Sequence, residues 1–248
     1  METIDSSLGR ALGLFKAVVA DRGSSSLRTL AHRQGVPLST AQRWLIPFER
    51  EGLLVQAGRG RRVAGLALRA MAGQGDDIAT IRSVALPLMR RFARERRTSI
   101  HLGVWDGDMV LYIAKAHGGG PRLFTREGMR LEGYCSAIGK VLLGGLPDAA
   151  LDAYLADGSF IPLTERTITS PASLRRELMH AREQGFAADD REIQDDLVCH
   201  AVPIRDAAGT IRAALSVSRM TNRPTPEQHP TEALAEIAER IAGRVFRA

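Results

Sequence analysis

The chain has 248 residues, 44% of them hydrophobic and 25% charged, with two cysteines and a formal net charge of +6. That length and apolar content predict two ordinary folded domains and exclude a disordered or low-complexity chain, while two cysteines exclude a disulfide scaffold. The charge is unevenly placed: residues 1–73 hold 11 Lys+Arg against 5 Asp+Glu, and residues 74–248 hold 23 of each. A cationic head on a neutral body is the electrostatic form of a domain that meets polyphosphate, joined to one that does something else. A membrane surface is the weaker partner for that head. It has no long apolar face beside its basic residues, no lipidation motif and no run of membrane-spanning length.

The start, METIDSSLGRALGLFKAVVA, lacks the basic n-region and small-residue cleavage site of a signal peptide. It reads as an amphipathic helix through Leu8, Ala11, Leu12, Phe15 and Val18. With the two cysteines lacking metal-ligand spacing, the expected compartment is a reducing one, the cytoplasm.

From Leu27 to Leu54 the spacing is that of two short helices crossing at a turn. Leu27, Leu30 and Ala31 form an i, i+3, i+4 stripe, Gly35-Val36-Pro37 breaks it, and a second helix starts near Ser39 or Thr40. That helix is predicted to bury Leu45 and Phe48 and to expose Ser39, Thr40, Gln42 and Arg43, which suit base edges and phosphates. Pro47 inside it predicts a kink or an early end. Two short extended pieces around Gly58-Arg59-Gly60-Arg61-Arg62 follow as a hairpin wing whose arginines can enter a minor groove or pair with phosphates. The candidate DNA contacts are therefore Arg28, Ser39, Thr40, Gln42, Arg43, Arg59, Arg61 and Arg62.

The domain boundary is predicted near residues 73–77, giving a DNA-binding domain over 1–66, a linker over 67–80 and a second domain over 81–248. Ile81, Val84, Leu88 and Phe92 repeat at helical spacing, with Pro87 expected to kink or interrupt the helix. Ile100, Leu102 and Val104 alternate, as do Val110 and Tyr112 against Met109, Leu111 and Ile113, with Asp106-Gly107-Asp108 turning between the two strands. A helix over about 136–144 follows, and Ser170-Pro171 opens another that ends at Gly185. The segment VCHAVPIRDAAGTIRAALSVS reads as a hairpin. A loop over Asp206–Gly209 pairs Arg205 with Thr210, Cys199 with Ser216 and Ala201 with Ala214. One face then carries Val198, His200, Val202, Ile204, Ile211, Ala213, Leu215 and Val217. The other carries Cys199, Ser216 and Ser218 among alanines. On pattern alone this second face is either the floor of a small-ligand pocket or a half-exposed sheet with ordinary serines, the latter favoured.

Other constellations fail on their spacing. Gly118-Gly-Gly120-Pro121 lacks the continuation of a phosphate loop, and Asp189, Asp190, Glu192, Asp195 and Asp196 match no calcium loop and read as a solvated acidic segment. Cys199 and His200 point to opposite faces, which argues against a thiol-imidazole pair. No catalytic residue, metal site or cofactor is expected.

The chain resembles the isocitrate lyase regulator (IclR) family of bacterial transcription factors. The resemblance rests on Arg10-Ala11-Leu12, the Gly35–Arg43 turn and helix, Ala137-Ile-Gly-Lys140, Gly185-Phe-Ala-Ala-Asp-Asp190, and Cys199–Pro203 through Ala214–Ser218, in the family's order across both domains. It implies an α+β chain with a winged helix-turn-helix followed by a GAF-like effector-binding domain built on an antiparallel sheet. It also implies a non-enzymatic repressor or activator acting as a homodimer, with a dimer of dimers suggested by family likeness. A small carboxylate or aromatic acid would sit against Ala137, Ile138, Asp189, Leu197, Cys199, Ser216 and Ser218. Asp189 is awkward for an anion unless it receives hydrogen bonds, is protonated or orients a ligand hydroxyl. Departures are Asp195-Asp196 where a glycine is common, Arg191 in place of an acid, and Arg219-Met220 after Ser218, which predicts a cation at the pocket rim. Tyr134-Cys135-Ser136 is similar to the subgroup that answers aromatic acids. The rival readings are a redox sensor using Cys135 and Cys199 and a small-acid hydrolase fused to the DNA-binding head, for which no serine or cysteine sits in a recognisable base-paired motif.

Overall fold

A computed structural model describes residues 6–58, 60–72, 77–119, 123–221 and 230–246. The chain forms two compact units, Met1–Asp76 and Asp77–Ala248. The expected linker over 67–80 is partly helical, since α4 (Leu66–Ala72) and the start of α5 (Asp77–Arg96) fall within it.

In the first unit, α1 (Ser7–Asp21) and α2 (Leu27–Arg33) each begin at a serine, Ser6 and Ser26, whose side chain accepts a backbone N–H of the first turn. The core gathers Leu14, Val18, Leu27, Leu30, Ala31, Val36, Ala41, Leu45 and Leu54, with Phe15 stacked on Phe48 at a centroid distance of 4.5 Å. The buried arc of α1 is rotated from the expected one. Ala11, Leu14 and Val18 turn inward, whereas Leu8 and Leu12 are 67% and 42% exposed. The second helix of the pair, α3, spans Leu38–Arg50 and passes through Pro47 without ending. Proline removes the donor to the carbonyl of Arg43, but both residues lie on the exposed side, so the loss leaves no sealed, unpaired carbonyl in the core. Pro87 in α5 is tolerated for the same reason, being exposed in an unbroken helix. The wing is a two-stranded hairpin of β1 (Leu54–Gln56) and β2 (Arg62–Ala64), and the Leu27 N–H donates to the carbonyl of Gly60 near its tip.

The second unit is built on a six-stranded antiparallel sheet. Its strands are β3 (Ser99–Asp106), β4 (Met109–His117), β5 (Arg130–Glu132), β6 (Ala187–Asp190), β7 (Leu197–Arg205) and β8 (Ile211–Met220), in the spatial order β5-β4-β3-β8-β7-β6. One face packs Ile100, Leu102, Val104, Val202, Ile204, Leu215 and Val217 against the apolar stripes of α5 and α9 (Pro230–Val245). Against the other face lies α6 (Ala137–Gly144), a wholly buried helix capped by Ser136, whose Oγ accepts the Gly139 N–H. Gly103 lets α6 approach the sheet: a Cβ there would sit 2.9 Å from side-chain carbons of Ile138 and Val110. Flanking α6 are α7 (Asp148–Asp157) and α8 (Pro171–Gln184), the latter capped by Ser170 and closed at Gly185.

The register of β7 and β8 differs from the expected one by two residues. Cys199 pairs with Ser218 and Ala201 with Ser216, because the loop runs over Asp206–Thr210 and an irregularity falls between Ile204 and Arg205. A two-residue shift preserves side-chain parity, so the expected faces stand. Ile211 is the exception. It lies beyond the bulge and packs on the α6 side. Among the described residues, no helix is long and apolar enough to cross a membrane.

Candidate functional site

Two surfaces carry functional chemistry. On the first unit, Ser39, Gln42 and Arg43 are exposed on α3, with Thr40 half-buried beside them, and the stripe continues through Ile46 to Arg50. These last two residues extend the readable face and were legible from their spacing of four and seven beyond Gln42 and Arg43. Arg28 and Arg61 are exposed and carry no ion-pair partner among the described residues. Arg59 lies outside the described residues. Arg62, expected on DNA, is placed otherwise. Its side chain is 9% exposed and its Nε donates to Glu49 Oε1 at 2.5 Å, fastening the wing to the end of α3.

On the second unit, a small, largely enclosed cavity of about 20 Å³ lies between the sheet and the start of α6. Ala137, Ile138, Asp189, Leu197, Cys199, Ser216 and Ser218 all line it. Strand pairing brings them together: Asp189 lies beside Cys199, Cys199 beside Ser218, and Ser216 beside His101 on β3. The Cys199 sulfur and Ser218 Oγ are 3.2 Å apart. At the helix end, Gly139 N–H is taken by Ser136, and the preceding N–H groups of Ala137 and Ile138 have no partner among the described residues. Two free donors at a buried helix start favour negative charge.

His101, Tyr112, Thr125 and Ser136 also line the cavity and were missed. Their signal was alternation, which sets His101 opposite Ile100 and Leu102 and Tyr112 opposite Leu111 and Ile113, but the pairing of β3 with β8 that brings His101 to Ser216 has no local signal. His101 Nε2 lies 2.8 Å from Thr125 Oγ1, and Lys115 Nζ donates to the same hydroxyl at 3.1 Å and to the Leu123 carbonyl at 3.1 Å. Burial, with the nearby Lys115 charge, drives the imidazole pKa down to about 3, so His101 is neutral. Arg219 does not line the cavity. It is one residue out of phase with Ser218, so the expected rim cation faces away.

The acidic segment is not simply solvated, as expected, because Asp189 and Glu192 are buried. Lys140, 1% exposed, donates to Glu192 Oε1, to the Ala188 carbonyl at 3.1 Å and to Glu177 at 3.3 Å. Asp189 Oδ1 accepts the Glu192 N–H at 2.7 Å, while Asp189 Oδ2 and Glu192 Oε2 are buried without a hydrogen-bond partner. Burial pushes the Asp189 pKa up to about 6, the Glu192 N–H and the Lys140 charge opposing it, and burial raises Glu192 as well. Asp189 is thus poised to hold a proton or, when ionised, to accept a hydrogen bond from a bound hydroxyl. The Cys135 thiol is pushed up to about 12 by burial, and Cys199 is raised likewise, so neither presents the thiolate a redox sensor needs. Tyr134 and Cys135 pack in the core under α7 and α8, and of that triplet only Ser136 reaches the cavity. Among the described residues, no group of three His, Cys, Asp or Glu side chains is placed to hold a metal ion.

A winged helix-turn-helix with a free reading face, joined to an α+β unit with a buried polar cavity, defines a two-unit DNA-binding transcriptional regulator. The family model for the bacterial transcriptional regulator IclR C-terminal domain matches residues 77–245, and that for the IclR helix-turn-helix domain matches residues 7–58. The chain belongs to the IclR family. It is 34% identical over 229 residues to the HTH-type transcriptional regulator KdgR of Escherichia coli K12, covering 90% of this chain and 85% of that one. It is 29% identical over 223 residues to the Pca regulon regulatory protein of Pseudomonas putida, covering 88% and 76%. Among solved structures, the Thermotoga maritima IclR is 27% identical, with 97% and 99% of the two chains covered and a TM-score of 0.61. An IclR homolog from Microbacterium hydrocarbonoxydans, complexed with 4-hydroxybenzoate, is also 27% identical, with 97% and 98% covered and a TM-score of 0.58. The two curated relatives are named as regulators.

Proposed function

We propose that the chain is a cytoplasmic, effector-responsive transcriptional regulator whose cavity binds a small organic acid and thereby alters operator affinity. On DNA, Ser39, Thr40, Gln42 and Arg43 read base edges in the major groove, and Arg28, Arg59 and Arg61 meet phosphates or the minor groove. One short helix reads few base pairs, so a homodimer presents two such helices to two half-sites, with a dimer of dimers the next assembly. In the cavity, the free Ala137 and Ile138 N–H groups receive the carboxylate, and Ser216, Ser218 and Cys199 supply adaptable polar contacts. Leu197, Ile138 and Tyr112 set ligand width, and Asp189 accepts from a ligand hydroxyl. Ligand shifts the DNA equilibrium only to the extent that it prefers one state of the protein.

The observation that carries this reading is the convergence of an unpartnered N–H pair, three small polar side chains and an unpartnered carboxylate oxygen on one buried cavity. The test is fluorescence anisotropy of the purified chain on DNA from upstream of its own gene, titrated with salt and against scrambled DNA. Hydroxybenzoates and aliphatic hydroxy acids are then added. The expected result is sequence-selective binding with a steep salt dependence that shifts with one acid. A Ser216→Ala, Ser218→Ala double variant should keep ligand-free DNA binding and lose the shift. An unchanged response in that variant overturns the cavity assignment.

A further inference from the structure

The second unit carries a cleft that shares no lining residue with the cavity above. It is an open hollow of about 770 Å³ between the β3–β4 turn, the end of β5 and the C-terminal end of α7. The chain has only two tryptophans and three tyrosines, and Trp105, Tyr134 and Tyr154 all line this one hollow, together with Phe160. Their rings form a continuous set. Trp105 meets Tyr154 edge-on at 5.6 Å, Tyr154 meets Phe160 at 5.7 Å, and Tyr134 backs Phe160 at 5.0 Å. Glycines seat two of them. A Cβ on Gly133 would lie 2.7 Å from the Trp105 ring, and one on Gly158 would lie 2.1 Å from the Phe160 ring.

The charge in the hollow is of one sign. Asp108, Glu132 and Asp157 line it and no Lys, Arg or His does, although residues 74–248 carry as many basic as acidic residues. Three other surface acids near it are matched: Asp106 pairs with Arg130, Asp148 with Arg182 and Asp152 with Arg175. Asp108, Glu132 and Asp157 have no ion-pair partner among the described residues. Burial and the Glu132 charge raise the Tyr154 phenol, which keeps it neutral.

We propose that this cleft is a second ligand site, selective for a small organic monocation such as a quaternary or protonated amine. Aromatic faces attract a cation through their quadrupole, and unmatched carboxylates at the rim add Coulomb attraction. A weakly hydrated alkylammonium enters more readily than a hydrated metal ion, because its desolvation cost is low. The site lies apart from the organic-acid cavity and takes the opposite charge, so the two ligands need not compete.

The test uses full-length protein carrying Trp44→Phe, which leaves Trp105 as the fluorophore. It is titrated with tetramethylammonium chloride against sodium chloride at equal ionic strength, and with choline against 3,3-dimethylbutan-1-ol, its uncharged isostere. The expected result is a saturable change in Trp105 emission with both cations and none with sodium or the alcohol, weakened at least tenfold by Glu132→Gln with Asp157→Asn. Circular dichroism checks that this double variant is folded. The proposal is overturned by no saturation beyond the sodium control, an equal response to the alcohol, or full binding in the double variant. A change in sedimentation of the double variant without any cation response means that a second copy fills the cleft, and overturns it too.

Discussion

Replacing Asp189 by Asn tests whether the cavity carboxylate is held against its preference. The group is fully buried and its pKa stands at about 6, against an ordinary value of 3.8. A shift of about two units corresponds to roughly 3 kcal/mol between the protonated and ionised states. The folded chain binds this proton more tightly than the unfolded chain does. The contribution is therefore fully present below about pH 4 and is lost as pH rises through about 6. Asparagine keeps the Oδ1 acceptor for the Glu192 N–H and removes the titration. Its absolute stability depends on how the new amide is satisfied, but its pH dependence does not. In a Trp44→Phe background, urea unfolding followed by Trp105 reports the second unit at each pH. Between pH 4 and pH 8 the parent should lose about 3 kcal/mol relative to Asp189→Asn. Parallel stability curves for the two proteins would refute the assignment of a strained, proton-seeking carboxylate.

Three further outcomes follow from the packing. Lys140→Met strands the buried Glu192 carboxylate and should cost the second unit about 3–5 kcal/mol, most of it recovered by adding Glu192→Gln, as read by the same unfolding measurement. Arg61→Ala should lower the salt slope of DNA binding by about one charge. Arg62→Ala should instead leave that slope unchanged while destabilising the first unit by about 1–2 kcal/mol, because its partner is Glu49. Gly103→Ala forces Ile138 and Val110 apart and should cost about 1–3 kcal/mol in thermal or urea unfolding while weakening any acid that binds at the start of α6.

What was legible in the sequence was what local chemistry decides. Ser136, Ser170-Pro171 and Gly185 marked helix ends because capping needs only neighbouring residues, and each cap is found in place. The β7–β8 hairpin shows the limit of such reasoning. One extra loop residue and one bulge moved every partner before the bulge by two, yet parity kept Cys199, Ser216 and Ser218 on one face, so these three meet in the cavity although the expected pairs do not, and the four other residues implied by the resemblance join them there. The prolines show another limit. Local reasoning sees the donor that Pro47 and Pro87 lack, but that neither ends its helix depends on these prolines and on Arg43 and Ser83, one turn before them, lying on the exposed side. The charge of the cavity was beyond local reading altogether. Asp189 and Glu192 sit in a run that any compositional argument assigns to solvent. Their burial is decided by Lys140, about fifty residues earlier on a helix that Gly103 admits to the sheet. Long-range placement of one cation against two carboxylates therefore turns an acidic surface segment into the wall of a cavity. It also leaves one oxygen on each carboxylate without a partner, and that on Asp189 is the one a ligand hydroxyl can meet.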